Sequence, residues 1–500
     1  MTLETGNVAS RASDLTSSGS LAPDGGPENR YEGRWLSILW PLAILFHLAG
    51  NGGHLLALTS VGMLQLGLVI LAGWTLVQPR PAVAAGLAAL YLTVLWIKMP
   101  VVGNHEIILG LFSATVIPAA AVGRGRWPVL VAQPGRAILV VAYGTIAVSK
   151  LNTGFFDLVG SCAVLFADEF GAIVGAAPSN SSVLSTAIIA VTAGTEVSIP
   201  ILLMIRRFRL YGVGLALAFH FVLALDPVSH IWDFSAVLLP LFLLFMPVGF
   251  HRQLDRSLAS VDRRPEGERT LAVAVIIGLA GIAMAGGLPF SAPTWSVAFP
   301  AWLAVSGLVL VHYWRFGVAQ GFGRRQTTTE SQLLNGWEPK TVVRLSTLLI
   351  VAVAVLNGLS PYLEVRSAAA FNMYSNLRVI DGDSNHLLIN SLRSNDRAYA
   401  EMVDVAQDSS LEFYLDNRLA LPVETLDRYL SDHPAENPVI NLGQGPVAAR
   451  AAGYGSAQAT GVGGGVADVF VRKLAVRRAV PLEALHGGQP RCLRAWGPIG

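Results

Sequence analysis

Eleven stretches of mostly apolar residues, from 14 to 23 residues long, recur between residues 35 and 361, and no other feature restricts the fold as tightly. They lie near 35–50, 55–77, 82–98, 106–122, 137–150, 183–205, 211–225, 232–250, 270–290, 297–313 and 344–361. A helix of about 20 such residues crosses a bilayer, and a tilted or shielded one can use about 17. Backbone polar groups in hydrocarbon must be paired within the chain, so apolar runs of this length read as helices. The fold class is therefore an all-α polytopic membrane bundle of about 11 transmembrane helices, with the lipid bilayer as its first partner. The charged content of 14%, against roughly 25% in soluble domains, agrees.

Arginine placement sets the expected orientation, because short loops rich in basic residues stay in the cytoplasm. With the N-terminus inside, the internal loops carry Arg80; Arg124, Arg126 and Arg136; Arg206, Arg207 and Arg209; Arg252, Arg256, Arg263, Arg264 and Arg269; and Arg315, Arg324, Arg325, Lys340 and Arg344. The external loops hold almost none. Residues 1–33, rich in Ser, Gly, Pro and Asp, read as a disordered cytoplasmic tail rather than a signal peptide. Residues 34–361 form the membrane domain. Residues 362–500 are expected outside as a small C-terminal α+β extracytoplasmic lobe, with a helix in "LEFYLDNRLALPVETLDRYLSDHPAE" and a strand in "ADVFVRKLAVRRAVP". The Gly-rich "GYGSAQATGVGGGVAD" lacks the lysine and helix of a phosphate-binding loop.

A net charge of +2, without basic clusters interleaved with aromatics, argues against a nucleic-acid partner. Two cysteines, Cys162 and Cys492, exclude a disulfide scaffold and a CxxC metal or redox site, and no metal site is expected. Both cysteines fall outside in this topology, so a bridge between lobe and bundle is allowed. Lysine occurs only at 98, 150, 340 and 473 among 35 basic residues, an arginine bias that fits a GC-rich bacterial genome. A desolvated lysine can act as a base, which arginine cannot.

The chemistry-bearing residues gather at the outer ends of the helices. Lys98, Asn104 and His105 lie between the third and fourth spans; Lys150, Asn152 and Asp157 end the fifth; His220 lies near the outer end of the seventh, before Asp226, His230 and Asp233. An ionisable group in an apolar helix carries an insertion penalty of about 2.5 to 3.5 kcal/mol, which marks it as a candidate for function. Two readings stay open for each: Lys150 as a base or as a snorkelling side chain, His105 as a catalytic partner or as a helix cap. His47 and His54 read as structural. Glu196 is a proton relay or a protonated, hydrogen-bonded carboxyl; the second is favoured because no basic residue matches its depth.

These segments resemble a known family. "AYGTIAVSKLNTGFFDLVGSCAV" is similar to the lysine motif of the vitamin K-dependent γ-glutamyl carboxylases, "VVGNHEIILGL" to their Asn-His segment, and "LALAFHFVLALDPVSHIWDFSAVLLPLFLLF" to their Phe/Tyr-His helix and the helix after it. "NGLSPYLEVRSAAAFNMYSNLRV" resembles the aromatic-rich strand that leads into the external lobe. The broader grouping is the horizontally transferred transmembrane (HTTM) domain, matched over roughly residues 35–380.

The resemblance implies an enzyme acting at the outer face. Lys150 would be the base that deprotonates a reduced quinone of vitamin K or menaquinone type. His105 would stabilise charge, and His220 would be a further catalytic histidine. Asn104, Asn152 and Tyr143 would contact the cofactor. O2 and CO2 would be co-substrates, and a secreted peptide or protein the partner. Two departures stand out: Lys-Leu-Asp has become Lys150-Leu151-Asn152, and Glu106-Ile107-Ile108 replaces the expected Tyr-Leu. The alternative is a non-catalytic accessory protein for producing or resisting secreted peptides. A transporter using Glu196 ranks last, since no internal repeat is legible. The expected location is the bacterial cytoplasmic membrane.

Overall fold

The computed structural model describes residues 33–50, 60–99, 102–123, 126–226, 231–262, 298–320, 341–367, 369–380 and 383–392, with short C-terminal pieces at 402–407, 419–422, 426, 429–430, 435–441, 446–449, 480–481 and 492. The described chain is mostly helical. Its helices are α1 (Arg34–Gly50), α2 (Ser60–Val77), α3 (Pro81–Lys98), α4 (Asn104–Gly123), α5 (Trp127–Leu130), α6 (Ala132–Ser149), α7 (Cys162–Ala172), α8 (Ser182–Met204), α9 (Arg209–Leu223), α10 (Trp232–Leu243), α11 (Val248–Asp262), α12 (Phe299–Gln320) and α13 (Thr341–Leu359).

Among the described residues, six helical stretches are long and apolar enough to cross a membrane: Pro81–Lys98, Asn104–Gly123, Trp127–Ser149, Ser182–Met204, Phe299–Ala319 and Thr341–Leu359. Arg34–Gly50, Gly62–Val77 and Trp232–Leu243 are shorter apolar helices. The expected stretch at 270–290, the Gly-rich loop, His54 and His230 lie outside the described residues.

The helix ends sort into two kinds. At one end Arg136 Nε donates to Leu244 O (2.6 Å), Arg209 Nε donates to Leu203 O (3.1 Å), and Asp255 Oδ1 caps the Trp35 amide (2.7 Å). His251 stacks on Trp35 there, with centroids 4.7 Å apart. At the other end lie His47, Lys98, Asn104, Lys150 and Asp233. Between them Trp40 is fully buried and meets the edges of Trp127 and Phe112 at 5.8 and 6.5 Å.

Three elements differ from expectation. The loop between 151 and 182 contains α7, capped by Ser161, whose Oγ accepts from the Ala163 amide (3.3 Å). The stretch after α13 is a series of turns rather than a strand, with left-handed backbone at Glu364, Ala369, Tyr374 and Asn376. Only β1 (Val379–Ile380) and β2 (Asp383–Ser384) form a short hairpin there.

Farther on, β3 (Met402–Gln407), β4 (Leu419–Pro422), β5 (Val439–Asn441), β6 (Pro446–Ala448) and β7 (Val480–Pro481) form an antiparallel sheet in the order β6-β5-β3-β4-β7. The helix expected over 411–436 is therefore interrupted. Leu419–Pro422 pairs on both sides, and cross-strand pairing with Leu421 buried outweighs its helical spacing, while Leu426, Tyr429 and Leu430 are helical and buried.

Cys162 at the start of α7 is disulfide-bonded to Cys492, with α-carbons 4.8 Å apart, and the Cys492 amide donates to Gly160 O (2.9 Å). The allowed bridge is formed.

Candidate functional site

Lys150 follows the last residue of α6, and the chain around it is held from two sides. Asn152 donates through Nδ2 to Ser149 O (2.7 Å) and Ser375 O (2.5 Å), while its Oδ1 accepts from the Phe155 amide (2.8 Å) and Asn385 Nδ2 (3.2 Å). Both donors and both acceptor positions are used. Residues 151–153 also pair with 385–387: the Leu387 amide donates to Leu151 O (2.8 Å) and the Thr153 amide to Asn385 O (3.0 Å). His386 Nε2 meets Val148 O at 2.8 Å. Asn152 is thus a joint between the bundle and the segment after α13, and its amide is saturated by protein.

The joint presents Lys150 to a cavity of about 540 Å³, open mouth included. Lys150 is 5% exposed, and its amine pairs with Glu196 of α8 at 2.9 Å, donates to Tyr374 O at 3.3 Å and lies 4.9 Å from the Phe155 ring centroid. The left-handed turn at Tyr374 is part of the backbone that supplies the carbonyl. Glu196 was expected to lack a basic partner. The two helices bring Lys150 and Glu196 to one depth across 46 residues of sequence, and the expectation is overturned.

Tyr143, His220 and Phe234 also line the cavity, with Phe166, Phe219 and Met373 on its apolar walls. Tyr143 hydrogen-bonds to His220 Nε2. With the phenol donating, a neutral ring carries its proton on Nδ1, and Nδ1 is buried with no hydrogen-bond partner among the described residues. Ser235 Oγ donates to His220 O (2.9 Å) and fixes that turn of α9 against α10.

His105 goes elsewhere. It is not among the residues lining the cavity; its Nε2 lies 3.3 Å from Asp233 Oδ2, and its ring faces Phe234 at 5.8 Å. Phe234 in turn faces His220 at 5.2 Å, so one phenyl ring divides the two groups.

Behind it sits a second polar cluster. His47 places Nδ1 3.6 Å from Asp233 Oδ2 and Nε2 3.2 Å from Glu106 Oε1. Glu106 also pairs with Lys98 and accepts from the Gly103 amide at 2.6 Å. Asn104 is buried here at the start of α4 and, like His105, lies outside the cavity lining.

Of the residues singled out from sequence, Lys150, His220 and Tyr143 meet in one cavity, and His105 joins a different group. Sequence reading missed Glu196 as partner to Lys150, and Glu106, His47 and Asp233 as a unit. Glu106 carried a signal: a carboxylate three residues into a helix that reaches back to the amide before it is half of a capping box. The chain matches no protein-family model, no curated protein and no solved structure.

Proposed function

We propose that the chain is a multi-pass enzyme of the HTTM grouping, resembling the vitamin K-dependent carboxylases, that binds a reduced quinone in the Lys150 cavity and uses Lys150 as its base. The observation that carries this is a buried amine, ion-paired to a mid-helix carboxylate, facing a partly aromatic cavity of about 540 Å³, open mouth included. A second, smaller pocket shares His220 and is walled by Leu217, Phe221, Phe242 and Trp302, an apolar flank to the Lys150 cavity.

The residues present suit a quinol. Its aromatic ring has Phe155, Phe166 and Phe234 to pack against, and a quinol oxygen can take the unmatched His220 Nδ1 proton donor. Lys150 and Glu196 hold protons as a unit. In its neutral form the Lys150 amine takes a proton from a quinol hydroxyl, leaving a quinolate beside the ammonium, and Glu196 at 2.9 Å holds the amine in place. The charge that the family motif keeps two residues after the lysine is absent at Asn152, and Glu196 restores it from another helix. A reduced quinone supplies electrons to activate O2, which in the family it resembles drives γ-proton removal from glutamate and addition of CO2.

The proposal includes eleven spans, an internal N-terminus and an external C-terminus. The arginine-bearing helix ends oppose the Lys150 end, and a disulfide at that second end fits an oxidising compartment.

The test supplies purified protein with reduced menaquinone, O2 and labelled bicarbonate, and reads quinone epoxide and fixed label. The parent protein should form epoxide, and Lys150→Ala should lose 10²- to 10⁴-fold, about the worth of a positioned base. Equal turnover by the two proteins rejects the mechanism. A stoichiometric secreted peptide captured equally well by Lys150→Ala and by the parent, without quinone turnover, favours the accessory-protein reading.

A further inference from the structure

We infer that His47, His105 and Asp233 form a binding site for one divalent first-row transition-metal ion of the zinc type, separate from the Lys150 cavity. No spacing in the sequence shows it, since the three residues come from α1, α4 and α10 and meet only through helix packing.

Distances favour this occupant. Each residue offers one ligand atom, and the three atoms lie within 4.8 Å of one another. The two contacts to Asp233 Oδ2, 3.3 Å from His105 Nε2 and 3.6 Å from His47 Nδ1, are close to the edge of a zinc tetrahedron. Bonds of 2.0 to 2.1 Å give an edge of about 3.3 Å. Two imidazoles and one carboxylate are a borderline donor set that suits zinc and its neighbours rather than calcium or magnesium. Three protein ligands leave a position open, and His105, with 14% of its side chain exposed, is the most accessible edge.

The surroundings are built as such sites are. A ligating histidine usually gives its second ring nitrogen to a carboxylate, which fixes tautomer and orientation. His47 does so through Nε2 to Glu106, and Glu106 is anchored by Lys98 and the Gly103 amide. Two glycines leave room for the ligands: a Cβ on Gly50 would lie 2.6 Å from Asp233 Cβ, and one on Gly103 would lie 2.6 Å from His105 Cε1. Glu106 is matched by Lys98, whereas Asp233 faces only the two imidazoles, and its negative charge attracts a cation. The rival cation is a proton on one imidazole, which the experiment separates from a metal.

Phe234 stands between this group and the cavity, so an ion here does not touch a cavity occupant. The inference is thus independent of the quinone reading. The test uses the full chain, purified in detergent without added chelator, with metals counted by inductively coupled plasma mass spectrometry. The stripped protein is then titrated with Zn²⁺ and with Co²⁺, reading the melting temperature and visible cobalt absorption. The parent and Lys150→Ala should each hold about one ion per chain and melt higher with Zn²⁺. His105→Gln and Asp233→Asn should hold less than about a tenth and show no Zn²⁺-dependent shift.

His105→Gln is the deciding variant because its position is the most exposed of the three, and an intact Cys162–Cys492 bridge certifies its fold. The inference is overturned by a parent protein that purifies without metal and, once stripped, gives no melting shift and no cobalt band. Full occupancy in both His105→Gln and Asp233→Asn overturns it equally. Loss of quinone turnover in Lys150→Ala with metal retained leaves both readings standing; loss of metal with turnover intact in His105→Gln rejects any catalytic role for the ion alone.

Discussion

Two groups of buried ionisable residues lie on either side of Phe234, and they obey different rules. In the His47 cluster the charges, His105 at the start of α4 apart, suit their helix ends. Glu106 and Asp233 sit in the first turns of α4 and α10, and His47 and Lys98 in the last turns of α1 and α3. Helix dipoles stabilise acids at N-termini and bases at C-termini by about 0.3 to 1 kcal/mol each. This cluster has a folding reason to exist, whatever it binds.

The Lys150 group is half of that kind. Lys150 follows the C-terminus of α6 and is favoured there, but Glu196 lies well inside α8, where no dipole or cap helps it. A mid-helix carboxylate beside a cavity is a penalty that packing does not explain. Local rules are broken where function demands it.

The sharpest way to break the comparison is to remove one carboxylate from each side. Glu106→Ala should destabilise the protein most, by about 3 to 5 kcal/mol, because it strands Lys98 and His47 in a filled site. Chemical denaturation in detergent measures it. Glu196→Gln should cost less than Glu106→Ala, since the amide keeps the shape and can still accept from Lys150. Its quinone turnover should nevertheless fall about 10²-fold, within the range for proton-transfer groups. Equal losses of stability in the two variants would remove the distinction between the groups.

The same contrast explains what was legible in the sequence. Apolar run length marked the membrane helices, because a bilayer imposes length on any chain that crosses it. Lys150 and His220 could be singled out because each is ionisable in a greasy helix, and Tyr143 came only with the resemblance. Their grouping could not be read, since depth along a tilted helix depends on packing. Counting depth from Val183, where the apolar stretch 183–205 begins, puts Glu196 too deep to meet Lys150. The first turns of α8 are largely exposed, and the carboxylate meets Lys150 from 14 residues into the helix. The metal-ligand geometry had no sequence trace at all, because its three donors stand alone on three helices.

Asn152 gives the next smaller effect. The carboxylases that this segment resembles carry Asp at the corresponding position, and Asn152→Asp introduces it here. Here it should destabilise the protein by about 1 to 3 kcal/mol, because a carboxylate cannot donate to Ser149 O and Ser375 O and leaves both carbonyls unmatched. Faster proteolysis of the segment after α13, with the disulfide reduced, is the expected signature. Unchanged protection would mean that the joint is held by the 385–387 pairing alone.

The smallest expected effect belongs to the divider itself. Phe234 meets His105 and His220 edge-on at 5.8 and 5.2 Å, and such contacts are worth about 0.5 to 1.5 kcal/mol beyond area burial. Phe234→Leu keeps most of the volume, so it should lower stability by less than about 1.5 kcal/mol. If the ring only separates two independent sites, metal content stays at the parent level. The effects of His105→Gln and Lys150→Ala then add within about 0.5 kcal/mol in either background. If instead the ring transmits position from one side to the other, Phe234→Leu changes the coupling between those two substitutions while leaving each residue in place. The double-mutant cycle, read on melting free energy, therefore separates a wall from a lever.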